Sequence, residues 1–288
     1  MSSPIPKHHG NRMLVVLLVI SIVIANSFII FSNGSNRFYF AKLTTSVTSG
    51  IALALALVMV YKYKTNQDKY VPHQSPIREN IIHFSICIFL ALWFVAQLTW
   101  SFYEQQSPAP SVPDILWLIG YAFFGYFLYR LLYLFRKQLE FSNVAIISMI
   151  VTISLTYIIL IILSVSNLLT VQKQQVSVTI LTLGYPVLDA ILLVPAALIF
   201  WLRRNPATFE HKSSAEQQED ISWILLSLSM ILFAIGDSGF AYISALNLTI
   251  QNEVWIWNLF YNSGYLCLAA ALTRYATFLD FTKVHAAC

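Results

Sequence analysis

Charge is scarce in this sequence. Asp, Glu, Lys and Arg make up 10% of its 288 residues, against about 25% in soluble domains. With 58% hydrophobic residues and a mean hydropathy of +0.68, that scarcity excludes a water-soluble enzyme and a disordered chain. Cysteine is nearly absent. Cys87, Cys267 and Cys288 show neither CxxC nor Cys/His spacing, which excludes a disulfide-stapled domain, a zinc site and a redox motif. No histidine pair has helical metal spacing within an apolar run, since His8, His9, His73, His211 and His285 fall in tails or loops and His83 at the end of a run. No metal, haem or other cofactor is therefore expected. Serines and threonines are plentiful, but none sits in a nucleophile-elbow pattern or beside a matched base, so no enzyme of that kind is expected.

What the sequence has in abundance is long apolar runs. A helix needs roughly 20 mostly apolar residues to cross a hydrocarbon core of about 30 Å. Eight stretches qualify, near 13–32, 43–62, 81–102, 114–135, 143–168, 177–202, 221–246 and 254–276. They lack the strict alternation of an outer-membrane barrel. The expected fold is all-α, a polytopic membrane bundle of eight transmembrane helices. It forms a single domain over 13–276, with cytoplasmic tails at 1–12 and 277–288.

Basic residues set the orientation. With the N-terminus in the cytoplasm, that side receives fourteen of them: Lys7, Arg12, Lys62, Lys64, Lys69, Arg78, Arg130, Arg136, Lys137, Arg203, Arg204, Lys212, Arg274 and Lys283. The outer side receives three, Arg37, Lys42 and Lys173. Both glycosylation sequons, at Asn33 and Asn247, then fall on outer loops. The expected location is the plasma membrane with both termini inside. The net charge of +4 reads as topology and attraction to anionic inner-leaflet lipid, with no role for nucleic acid. Lys7 and Arg12 before the first run also resemble a signal peptide, but that run exceeds the 7–15 residues typical of one and no small-x-small site follows. Cleavage there would leave seven spans.

The halves resemble each other. Asp114 to Tyr121 in the fourth stretch parallels Asn258 to Tyr265 in the eighth, and Gln97 to Trp100 parallels Asp237 to Phe240. Four spans per unit make these parallel repeats, 13–135 and 143–276, an arrangement that can build a midplane cavity. The alternative is coincidence among aromatic-rich helices.

An ionised side chain at the bilayer centre costs about 2.5–3.5 kcal/mol on insertion scales. Asp189 and Asp237 nonetheless lie well inside stretches six and seven, while Glu104 and Asp114 sit at the outer ends of stretches three and four. Their neighbours recur at helical spacing. Trp93, Gln97, Trp100 and Glu104 share one face, and Asp114, Trp117 and Tyr121 another. Tyr185 and Asp189 flank Pro186, which deprives the carbonyl of Thr182 of its donor. Asn258, Tyr261, Asn262 and Tyr265 form the clearest stripe. Together these faces predict an outward-opening pocket, acidic and aromatic, with no Lys or Arg at its depth. Arg130 and Arg274 are expected to snorkel at the cytoplasmic end. Such a lining suits a cation, through carboxylates and ring faces, or a proton shared between neighbouring acids. The same polar residues also serve as interhelical glue, worth about 0.6 kcal/mol per hydrogen bond, and the outermost Trp and Tyr residues fit an interfacial belt.

The series Trp100 to Glu104, Pro110 to Asp114, Leu118 to Tyr121, Gly184-Tyr185-Pro186-Val-Leu-Asp189, Gly236-Asp237-Ser-Gly-Phe240-Ala-Tyr242 and Trp257 to Tyr265 resembles a known region. It is the multi-span sensor region that precedes diguanylate cyclase, cyclic-di-GMP phosphodiesterase or histidine-kinase domains in prokaryotic signalling proteins. The resemblance covers roughly residues 80–275. Gln97 stands where that family often has an acid, and no output domain accompanies the sensor region. The resemblance thus implies a sensory or ligand-binding module that signals through a cytoplasmic or membrane protein partner. A cation-coupled transporter shares the hallmarks of repeats and intramembrane acids. An intramembrane aspartyl protease also places Asp residues on adjacent spans. Leu188 and Ala234, however, replace the Tyr and Gly of its two motifs, and its Pro-Ala-Leu element has only a loose counterpart at Pro195 to Leu198.

Overall fold

A computed structural model describes residues 9–33, 35–67, 76–102, 111–168, 176–203, 214–245 and 250–286. These form eight α-helices: α1 (His9–Ile30), α2 (Ser35–Gln67), α3 (Pro76–Phe102), α4 (Val112–Leu134), α5 (Phe141–Leu168), α6 (Val176–Arg203), α7 (Ser214–Ala245) and α8 (Ile250–Ala286). A short 3-10 turn, Arg136–Gln138, follows α4, and no strand occurs among the described residues. Each expected stretch corresponds to one helix.

Six helices, α1 to α4, α6 and α7, are long and apolar enough to cross a membrane. α1 leaves Val15, Val16, Leu17, Val19, Ile20, Val23, Ile24 and Phe28 exposed, an uninterrupted apolar surface that suits acyl chains. The remaining two differ. α5 is apolar over Phe141–Thr156 among its described side chains. α8 falls short because its interior positions include Asn258, Asn262 and Arg274, all buried. It is wrapped by protein, where polar groups find partners.

The helices close a ring: α2 packs on α3, α3 on α4, α4 on α6, α6 on α7, α7 on α8, and α8 back on α2. α1 lies outside against α2 and α8, and α5 lies outside against α6 and α7. Small residues allow the close approach of α2 to α8. Ala41, Thr45, Thr48, Ser49, Ala52 and Ala56 are buried on α2. A polar ladder joins these helices to α1. Thr45 Oγ1 donates to Asn258 Oδ1 at 2.9 Å, Thr48 Oγ1 to Asn262 Oδ1 at 3.2 Å, and Asn262 Nδ2 to Asn26 Oδ1 at 3.3 Å. Mid-bundle, Phe89 and Phe124 stack with centroids 4.3 Å apart.

At the end where α6 finishes and α7 begins, Arg203 Nη1 pairs with Asp220 Oδ1 at 2.8 Å, and its guanidinium lies 4.0 Å from the Phe135 ring centroid. His83 is stacked against Tyr63 and Tyr275, with centroids 4.0 and 5.5 Å away. Arg274 does not snorkel. It is 5% exposed and donates to Gln218 Oε1, because α7 covers the face of α8 that carries it.

Candidate functional site

At the opposite end of the bundle, where α3 finishes and α4 begins, five helices surround a cavity of about 170 Å³. α3 contributes Trp93, Gln97 and Trp100; α4 contributes Asp114, Trp117 and Tyr121; α6 contributes Leu181 and Tyr185. α7 adds Asp237, Phe240 and Ala241, and α8 adds Asn258, Tyr261 and Tyr265.

Asp114 enters through the start of α4. The backbone N–H and Oγ of Ser111 both donate to Asp114 Oδ2, at 2.7 and 2.5 Å, closing a capping box at the helix N-terminus. The other carboxylate oxygen accepts from the Tyr185 hydroxyl at 3.0 Å. A helix cap thus holds an acid at the cavity wall.

Deeper, Asp237 accepts from two tyrosines. Tyr261 donates to Oδ1 and Tyr121 lies 2.5 Å from Oδ2. The Tyr121 hydroxyl also lies 2.7 Å from Asp189 Oδ1. One hydroxyl carries one proton, so with Tyr121 donating to Asp237 its contact with Asp189 is a hydrogen bond only when Asp189 is itself protonated and donates to the tyrosine oxygen. Asp189 Oδ2 is buried without a hydrogen-bond partner among the described residues. The chain α6–α4–α7–α8 is therefore tied through oxygen atoms that share protons.

The floor is aromatic. Trp93 packs edge-on to Tyr121, Phe233 and Tyr265, with centroids 5.3, 5.3 and 6.3 Å away. Its indole N–H donates to the carbonyl of Trp117 at 3.1 Å. Gly120, one turn further along α4, makes room for that ring, since a Cβ there would come within 2.3 Å of Trp93 Cδ1. Gly120→Ala is therefore expected to lower stability by about 1–3 kcal/mol through overpacking. Gly184→Ala, whose Cβ would meet nothing within 4 Å among the described residues, is the control. Thermal unfolding in detergent should separate the two.

Of the fourteen residues expected to form the pocket, the structure brings eleven together in this lining. Glu104 lies outside the described residues. Asp189 sits behind the wall, 2% exposed, reached through Tyr121. Asn262 turns away, to Thr48, Asn26 and Thr44 on α2 and α1. Leu181, Phe240 and Ala241 were not anticipated. They are apolar, and only their spacing to Tyr185 and Asp237 on the same helices could have found them.

A cation does stand near this level, contrary to expectation. Lys42 is 5% exposed, and its ammonium lies 4.6 Å from the Trp100 ring centroid and 4.5 Å from that of Phe38. Its Nζ also donates to the Trp100 carbonyl at 3.2 Å. It does not line the cavity, so among the described residues the lining contains two carboxylates and no Lys or Arg.

No protein-family model matches this sequence, and neither does any curated protein or solved structure.

Proposed function

We propose that this chain is an integral membrane sensory or ligand-binding module. Its cavity opens at the outer face, receives a small ligand, cation or proton, and passes the change to a cytoplasmic or membrane partner. The observation that carries this reading is the convergence of acidic and aromatic stripes from five helices on one cavity, with no basic residue in its lining among the described residues. Burying such groups without a ligand-related reason is costly. The outward direction rests on the excess of basic residues at the other end. All eight helices cross the membrane in this reading, with the polar α8 shielded by its neighbours. The order of the ring supports two parallel repeats. Pairs α2–α3, α3–α4 and α8–α2 have counterparts in α6–α7, α7–α8 and α4–α6. Continuous helices link cavity to cytoplasmic end: α6 carries Tyr185 and Arg203, and α7 carries Asp237 and Asp220. The second reading, a cation-coupled transporter, draws on the same repeats and on the Asp189–Tyr121–Asp237 chain.

Thermal-shift screening of the purified protein against alkali, divalent and organic cations, and across pH 5 to 8, tests the site. At least one condition should stabilise the native protein and leave Asp237→Asn unmoved. If every condition moves both proteins equally, the site does not bind. In liposomes, solute flux would favour the transporter, and its absence the sensor.

A further inference from the structure

Three features of the cavity narrow what it takes, granting the ligand-binding reading above. The first is what the acids are already doing. Each carboxylate oxygen that Asp114 and Asp237 present here accepts from a tyrosine or serine: Tyr185 and Ser111 on one, Tyr261 and Tyr121 on the other. A bare metal ion or a primary ammonium, which needs several close oxygen ligands or acceptors, would have to compete with these hydroxyls for the lone pairs of the carboxylates. A methylated ammonium needs none. It is held by negative potential and by ring faces, and eight of the fourteen lining residues are aromatic.

The second feature is an unmet donor. Gln97 is 5% exposed and lines the cavity, yet its Nε2 has no hydrogen-bond partner among the described residues. A buried amide N–H left unpaired costs about 1–3 kcal/mol. An acceptor atom on the ligand would satisfy it. That atom is best uncharged, because a carboxylate would meet Asp114 and Asp237 across the same space. The third feature is size. A dry cavity of about 150 Å³ takes benzene, so 170 Å³ suits about six to eight non-hydrogen atoms.

We propose that the cavity binds a compact methylated ammonium compound bearing one neutral oxygen acceptor, of the class to which choline belongs. The ammonium head lies among the rings beside Asp237, and the oxygen accepts from Gln97 Nε2.

Three probes of graded chemistry test this on the full chain in detergent, by tryptophan fluorescence titration with thermal shift alongside. They are choline, tetramethylammonium, and 3,3-dimethylbutan-1-ol, the neutral carbon counterpart of choline. Choline should bind saturably and at least about tenfold more tightly than its neutral counterpart, as expected for several cation–ring contacts. Gln97→Leu should weaken choline by about tenfold, the worth of one good hydrogen bond, and leave tetramethylammonium unchanged. Equal binding of choline and the neutral alcohol would overturn the proposal, and this comparison needs no variant. Equal effects of Gln97→Leu on both cations would overturn the acceptor assignment. If none of the probes binds while a metal ion or a pH change stabilises the native protein and not Asp237→Asn, this ligand class is wrong and the ligand-binding reading stands. If nothing in either series binds, both fail.

Discussion

Replacing Asp220 with alanine is expected to cost about 3–5 kcal/mol of stability, because it leaves a buried guanidinium without its counter-ion. Asp220 is fully buried and its carboxylate meets Arg203 at 2.8 Å, with the Arg203 side chain 12% exposed. The Arg203 guanidinium is covered by Phe135, so water cannot readily replace the lost acid. The double variant Arg203→Met, Asp220→Leu removes both charges and should recover most of the loss, since well-packed apolar pairs often match buried ion pairs. Equilibrium unfolding in detergent measures both. The pair ties the end of α6 to the start of α7. Those helices hold Tyr185 and Asp237 at the cavity, so loosening the clamp should also weaken any ligand response.

The second large effect is expected at Asp237. Its carboxylate accepts from Tyr121 and Tyr261, and both tyrosine rings stand in the cavity wall. Asp237→Ala deprives the Tyr261 hydroxyl of its acceptor, at about 1–3 kcal/mol for a buried group left unsatisfied, while Tyr121 keeps Asp189 Oδ1 as its acceptor. Asp237→Asn keeps one carbonyl oxygen and the shape of the side chain, so its loss should be clearly smaller. Tyr261→Phe removes one donor from an acceptor that retains another, and should cost about 0.5–1.5 kcal/mol. Ranked unfolding midpoints, with Ala lowest and Asn and Phe above it, are the expected result. Equal midpoints for Ala and Asn would mean that the hydrogen bonds to Asp237 contribute nothing.

Much of this was legible from spacing alone. Apolar runs of about 20 residues gave each helix, and of the i, i+3, i+4, i+7 stripe on α8 that was expected to face the pocket, Asn258, Tyr261 and Tyr265 lie in the cavity lining. Spacing does not say which helices that stripe meets. Asn258 and Asn262 are one turn apart on that stripe, but a step of four residues also rotates the face by about 40°. That rotation is enough to turn Asn262 from the cavity toward Asn26 and Thr48. Arg274 was misplaced for the same reason: a basic residue near a span end looks ready to snorkel, until a neighbouring helix buries it against Gln218. Lys42 was read only as an outer-side charge, and spacing did not show that it packs against Trp100. Ala241 and Leu181 carry no chemical signal, and lie in the lining because Asp237 and Tyr185 on their own helices do.

The proposal that the cavity opens outward has a direct test in Ala241, which lines it and is 4% exposed. Ala241→Cys, expressed in intact cells, is treated from outside with a membrane-impermeant trimethylammonium thiosulfonate, with the unsubstituted protein as control. Labelling from outside, absent from the control and slowed by tetramethylammonium, is the predicted result. Labelling that appears only when the reagent reaches the cytoplasmic face would contradict it.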